Sequence, residues 1–347
     1  MSKQADSFGY HPTTAVKAME LEDSYVWDCS VIQSGGLYHM FSSRWDKSLG
    51  FGWNWCFNSE IIHCVSEQPE GPYRFQNVVL PRRGRKYFDG MNTHNTCIKE
   101  YKGTFYLYYM GTTYGGDIPG AGDVLPEPVC VETWNRKRIG LATANDINGE
   151  FTRRDDPLLL PRDCSHWDCT ITTNPSVAIL PDGKTYMIYK SRSGYGKPLK
   201  LGIAVADRPD GPFTRLREEP ILQFEDENIH IEDPFLWYDK ARRKFCLIAK
   251  DDSKNGVFGI TGEWGSGFYA ESDDCVDFTI AKCPKVYSRT LQWADGHTSV
   301  QGNLERPALL FDENGTPTHL FCASGQSDVP YYFKDNSYIV CMKLEKD

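Results

Sequence analysis

The sequence predicts an all-β fold, a five-bladed β-propeller formed as one domain over residues 1–347, and three observations carry that expectation. Five segments of one pattern recur along the chain, turn signals fill the spaces between apolar runs, and the apolar spacing rarely holds a 3.6-residue period. Length alone leaves one domain or two open, because closed all-β architectures often exceed the usual domain size.

The five segments are WDCSVIQSGGLYHMFSSRW from Trp27, HNTCIKEYKGTFYLYYMGTT from His94, NPSVAILPDGKTYMIYKSRS from Asn174, EDPFLWYDKARRKFCLIAKDD from Glu232, and ERPALLFDENGTPTHLFCASG from Glu305. Each reads as a hairpin: a polar start, an apolar strand, a turn such as SGG, YKG, PDGK or DENG, and an aromatic strand ending in polar residues. Third-strand candidates follow in IIHCVSEQPEGPYRF, RIGLATANDINGEFTRR, LGIAVADRPDGPFTRL and SGFYAESDDCVDFTI. Successive units start roughly 60 to 80 residues apart, which suits a four-stranded blade with long connections. Residues 1–24 are either an outer strand that closes the ring or a free arm. The stretch from Thr112 to Cys130, rich in Gly and Pro, reads as a loop that overhangs one mouth of the propeller and shapes an exo-type pocket.

Composition removes several functions. A charged fraction of 24% beside 40% hydrophobic residues belongs to a folded chain. A net charge of -9 without a lysine and arginine cluster excludes nucleic acid as a main partner. No stretch is long and apolar enough to span a bilayer and the N-terminus lacks an apolar leader, so a cytoplasmic protein with no membrane partner is expected. The twelve cysteines show neither CxxC nor a Cys/His spacing, and Cys97, Cys246, Cys322 and Cys341 sit in apolar runs, which reads as reduced, buried thiols. Aromatic residues make up 13%, and sugar stacking accounts for part of that excess.

In a propeller the innermost strand of each blade starts at one face and the second strand returns to it, so ten strand ends converge on one mouth of the channel. The aligned first positions are Asp28, Asn95, Asn174, Asp233 and Arg306, preceded by Trp27, His94, Thr173, Glu232 and Glu305. A single polar residue there often caps a turn; the set of five reads as a polar ligand site. Glycoside hydrolysis needs one carboxylic acid to protonate the leaving oxygen and one carboxylate to activate water or attack, and Asp28 and Glu232 are the pair expected to do so. Returning strands bring Arg44, Lys190, Arg192 and Lys250 to the same mouth, where they either grip a carboxylated or sulfated sugar or neutralise the acids. Arg306 beside Glu305 reads most plainly as an ion pair. Trp27, Trp45, Trp167 and Trp293 are the candidate stacking platform.

These hairpin starts resemble those of the five-bladed propeller glycosidases, especially glycoside hydrolase family 43 and the related family 117. The family 43 resemblance implies that Asp28 within WDCS is a general base and Glu232 within EDPFLW a general acid. It also implies an Asp that orients the acid, but NPSV presents Asn174 there, and Asp168 in HWDCTITTNPS is the substitute. Family 117 is similar in blade layout and implies a histidine acid, which brings in His94 and His230. His297 in ADGHTSVQGN is similar to a glycine-flanked histidine that holds a metal through waters, so the resemblance admits a calcium ion in the central channel, although no cofactor is required. Three functions stand: an inverting exo-hydrolase of small, uncharged or anionic oligosaccharides, a phosphorylase resembling family 130 through its EDP motif, and a sugar-binding propeller without catalysis. Oligomeric state, sugar and linkage are left open.

Overall fold

The computed structural model describes residues 5–226, 228–253, 259–327, 329 and 336–347. Its strands form five sheets. The first blade is Ser24–Ser34, Leu37–Asp46, Glu60–Ser66 and Arg74–Leu80 from the axis outward. The second is Asn92–Tyr101, Thr104–Thr112, Arg138–Ala144 and Thr152–Arg153; the third is Thr173–Ile179, Thr185–Ser191, Lys200–Ala206 and Thr214–Arg215. Ile231–Asp239, Lys244–Asp251, Gly267–Ser272 and Thr279–Tyr287 make the fourth. The fifth holds Thr298–Phe311, Pro317–Gln326 and Tyr338–Lys346, and Tyr10–Met19 pairs antiparallel with the last of these. Residues from the start of the chain therefore supply the outer strand of the final blade, which decides between the two readings of that segment. Each innermost strand packs beside the next and the fifth beside the first, closing the circle.

The sequence signals map onto local structure. In SGG the pair Gly35 and Gly36 both take positive φ between the paired Ser34 and Leu37, as a two-residue hairpin turn of that twist requires. The candidate third-strand segments each resolve into a third strand, a turn and a fourth strand. Apolar faces of neighbouring blades then meet: Ile188, Leu201 and Ile203 of the third pack in one cluster with Leu236, Leu247 and Phe268 of the fourth. The Thr112–Cys130 stretch is not all loop, because α2 (Glu127–Asn135) follows Pro126 and buries Cys130, Thr133 and Trp134. A shorter helix, α1 (Trp55–Asn58), interrupts the first blade, and the two touch.

One irregularity repeats in every blade and sets the axis. After Trp27, His94, Thr173, Glu232 and Glu305, two residues of the innermost strand face a single residue of the second strand. This is a β-bulge, and its first residue is Asp28, Asn95, Asn174, Asp233 or Arg306, each with φ between 50° and 60°. Asn and Asp tolerate that left-handed backbone best among residues with a Cβ. Pro175, Pro234 and Pro307 take the second bulge position, where no ladder donor is needed.

The bulged side chains turn to the axis and bind one another. Asn95 Nδ2 donates to Asn174 Oδ1 at 2.6 Å, and Asn174 Nδ2 donates to Asp233 Oδ1 at 2.7 Å. Arg306 reaches Asp233 through Nη1 at 2.8 Å and its backbone N–H at 3.2 Å, while the backbone N–H groups of Asn95 and Thr96 donate to the Asp28 carboxylate at 2.9 and 3.2 Å. Attraction between Arg306 and Asp28 completes the circle. All five blades are thus joined where they come closest. Asn174→Ala removes two axial hydrogen bonds and asks an alanine to hold φ > 0, a loss of about 2–4 kcal/mol. Asn174→Gly restores the backbone and loses less. Urea midpoints should fall in the order Asn, Gly, Ala; an alanine variant as stable as the parent would show that the ring carries no strain between blades.

Candidate active site

The ring closes the floor of a cavity of about 520 Å³ at one mouth of the axis. In four of the five blades the residue before the bulge lines it, as Trp27, His94, Glu232 and Glu305 do, and the ring members Asn95, Asn174, Asp233 and Arg306 form its base. The first two blades supply an aromatic side of Trp27, Trp45, Phe51, Trp53, Trp55 and, from α2, Trp134. The fourth and fifth supply Glu232, Asp233, Asp252 and Glu305. A larger open groove of about 660 Å³ beside the outer strands of the third blade has neither aromatic rings nor a glutamate, whereas the axial cavity has both.

Charge in the cavity is organised by Lys250, which is 0% exposed and lies beneath the carboxylates. Its ammonium donates to Glu305, to Glu232 at 3.3 Å and lies 3.2 Å from Asp252. Lys190 donates to the other oxygen of Glu232 at 2.6 Å. Glu305 also accepts from the Trp27 indole and Asn303, each at 3.1 Å. Burial outweighs Lys250 at Glu305, and with Asp233 and Glu232 close by its carboxyl is pushed up to about 7. One oxygen of each of Glu232, Asp233 and Glu305 falls within 4.8 Å of the others. These carboxylates do not suit a calcium ion, because Lys190, Lys250 and Arg306 already occupy their lone pairs where calcium needs six or more oxygens.

Several expected residues sit elsewhere. Asp28 is 1% exposed and outside the cavity lining, its carboxylate filled by Ser43 Oγ at 2.5 Å, Thr96 Oγ1 at 3.0 Å and the two backbone donors. His94 does line the cavity, with Nδ1 against Ser59 Oγ at 2.7 Å and Nε2 3.7 Å from Asp28. Burial, then Arg306, Lys137 and Lys190, hold it well below the usual imidazole range, so it is neutral and not a ready proton donor. Arg44 is one residue past the position that faces the mouth; with a two-residue strand period it points to the other side, to Glu60 at 2.9 Å. His230 stays outside the lining, its carbonyl accepting from the Asp252 N–H. His297 is an exposed loop residue against Asp295 and the Trp293 ring, far from the role of an axial metal ligand, and Trp293 goes with it.

Asp168 and Trp167 are also corrected. Asp168 is fully buried between Arg162 Nε at 2.6 Å, Arg215 Nε at 2.6 Å and Tyr189 Oη at 2.8 Å, outside the cavity. The second blade repeats this buckle with Asp89 among Arg83, Arg153 and Tyr109, and that repetition marks it as architecture. Trp167 stacks on Tyr189 and donates to the Glu218 carbonyl. Sequence reading passed over Trp53, Trp55, Trp134 and Lys137; the signals were a doubled tryptophan in GWNWC and a tryptophan and basic run in TWNRKR.

Fold and site define a five-bladed propeller with a single-mouthed, aromatic and carboxylate-lined pocket on its axis. Similar architectures are known. The chain is similar to Zg3597, a family 117 glycoside hydrolase produced by the marine bacterium Zobellia galactanivorans, at 18% identity and a TM-score of 0.67 over 99% of this chain and 92% of that one. It is similar to the native arabinanase Arb43A of Bacillus subtilis at 12% identity and a TM-score of 0.61, over 92% and 94% of the two chains. For the catalytic domain of the Coprinopsis cinerea GH62 α-L-arabinofuranosidase the identity is 10% and the TM-score 0.62, over 98% of each. The expected likeness to five-bladed propeller glycosidases therefore holds at the level of the fold. No protein-family profile and no curated sequence matches the chain.

The buckle yields a pH test. Burial raises the Asp168 carboxyl, but donation from Arg162 and Tyr189 and the charge of Arg215 bring it below its ordinary 3.8. A lowered folded-state value stabilises above the unfolded value and is lost as pH falls through the folded one. Asp168→Asn should cost about 3 kcal/mol at pH 7, since two arginines lose their carboxylate, and should flatten the acid loss of stability below about pH 4. An unchanged pH slope in urea unfolding would remove Asp168 from this role.

Proposed function

We propose that the chain is a glycoside hydrolase that removes a terminal sugar from a small carbohydrate, with Glu232 and Glu305 as its carboxylate pair. The observation that carries this reading is the opposed setting of two glutamates across one lysine. Lys190 and Lys250 both donate to Glu232, whereas Glu305, pushed up to about 7, keeps its proton into the neutral range. A blind pocket with rings on one side suits the apolar face of a terminal sugar, with its glycosidic oxygen turned to the acids.

In this reading Glu305 gives its proton to the leaving oxygen as the C1–O bond breaks, and a Glu232 oxygen forms the new bond to C1. Water, losing its proton to Glu305, then cleaves that ester and restores both groups. An inverting pair keeps about 6.5–9.5 Å between carboxyls for an intervening water, and a retaining pair about 5–5.5 Å. One oxygen of Glu232 and one of Glu305 lie within 4.8 Å of each other, an oxygen-to-oxygen approach rather than a carboxyl separation, which favours the retaining scheme over the inversion expected from the sequence. The acid role expected of Glu232 passes to Glu305, and the base role expected of Asp28 lapses because four donors already hold its carboxylate. A phosphorolytic site is less well supported once Arg44 is committed to Glu60. All twelve cysteines are unpaired, which favours a reducing, cytoplasmic setting and hence an oligosaccharide small enough to be taken up.

The test is hydrolysis of aryl furanosides, pyranosides and uronides with and without phosphate. Glu305→Gln and Glu232→Gln should each lose about 10²-fold or more in kcat while binding is kept. In the parent, kcat/KM should fall as pH rises through about 7, as Glu305 loses its proton. A folded Asp28→Asn protein that lacks turnover, beside an active Glu305→Gln, would return the base role to Asp28. Turnover only with phosphate would make the chain a phosphorylase, and sugar binding with no cleavage of any glycoside would make it a lectin-like propeller.

A further inference from the structure

The cavity wall carries two positive charges that its acids do not use. Lys190 is committed to Glu232 at 2.6 Å and Arg306 to Asp233 at 2.8 Å. Lys137 and Arg192, by contrast, form no ion pair among the described residues, although they are only 2% and 7% exposed. Lys137 Nζ lies 4.0 Å from the centre of the Trp134 ring and 4.3 Å from that of Trp55. The Arg192 guanidinium lies 3.5 Å from the Trp134 ring centre and 4.8 Å from that of Tyr195. Its Nε and Nη2 are enclosed, and neither has a hydrogen-bond partner among the described residues.

Two buried cations against one ring, without a paired counter-charge among the described residues, are costly. Burial, together with the charges of Lys190 and Arg192, drives Lys137 well below the usual ammonium range, and burial lowers Arg192 to about 10. Ring faces offset part of this, but a buried donor left unmade loses its full hydration. Neither residue is required by a blade: Lys137 ends the insertion that carries α2, and Arg192 follows the second strand of the third blade. Both line the ligand cavity.

We propose that Lys137 and Arg192 form a subsite for a carboxylate of the substrate, which makes the preferred substrate a uronic-acid glycoside; this rests on the glycosidase reading above. Both cations line the cavity without a paired counter-charge among the described residues, and a carboxylate on the bound sugar would supply one. Sulfate and phosphate esters share the charge but are tetrahedral.

Calorimetric titration with D-glucuronate and D-galacturonate, beside the corresponding neutral sugars and inorganic sulfate and phosphate, tests this without needing turnover. One uronate should bind the parent at least about tenfold more tightly than its neutral counterpart, and Arg192→Gln and Lys137→Met should each reduce that preference about tenfold. Arg192→Lys, which keeps the charge and removes the fork, should recover only part of it. On aryl substrates the uronide-to-glycoside ratio of kcat/KM should fall in the same variants. Uronate binding without cleavage would sink the hydrolase reading and leave the subsite standing. Cleavage of neutral glycosides in preference to uronides, or a preference unmoved in folded variants, would overturn the subsite; tighter sulfate or phosphate binding at these residues would overturn the carboxylate.

Discussion

The structure depends on a backbone constraint met five times: a residue held at positive φ in a bulge at the axis end of each innermost strand. A regular strand would send successive side chains alternately to its two faces, and no residue would lie across the channel. The bulge breaks that alternation. Its first residue turns inward to bond with the neighbouring blade, and in four of the five blades the residue before it lines the cavity. Asn95, Asn174 and Asp233 pass hydrogen bonds from blade to blade, while Arg306, a residue type uncommon in this backbone, is held by Asp233 through both its side chain and its N–H.

The chemistry follows from this geometry and from one buried cation. Since Glu232 and Glu305 occupy the same repeat position on adjacent blades, their carboxylates meet, and Lys250 beneath them keeps the pair bound without full neutralisation. Lys190 tips the balance by adding a second ammonium to Glu232 alone. Two side chains of one type at equivalent positions thereby acquire different surroundings, which separate roles in glycosidic bond cleavage require. The insertions with α1 and α2 stand outside the fivefold repeat and add the tryptophans, Lys137 and the wall beside Arg192 that individualise the pocket.

Much of this was legible in the sequence because the repeat is written in residue types. WD, HN, TN, ED and ER mark the five bulges, and the turn glycines mark the hairpins. What could not be read was the division of labour within each pair. The second member, expected to act on the ligand, is a joint between blades, and Asp28 is the clearest case; in four blades the first member lines the cavity above it. Arg44 was displaced by a register difference of one residue, which a two-residue period converts into the opposite face. Asp168 looked like a lone acid near the third blade, yet Arg83 and Asp89 have the same spacing as Arg162 and Asp168, a second repeat of purely architectural meaning. Trp134 and Lys137 lie where no repeat applies, and only the fold brings them to the mouth.

The central claim is that burial on the axis raises the Glu305 carboxyl to about 7. Titration of the side-chain carboxyls by ¹³C NMR in glutamate-labelled protein, with Glu305 assigned by its loss in Glu305→Gln, measures this directly. A midpoint near 7 for Glu305 is the predicted result. A midpoint at the ordinary 4.5 would mean that the carboxyl is already charged when substrate arrives, and the assignment of Glu305 as the acid would be contradicted.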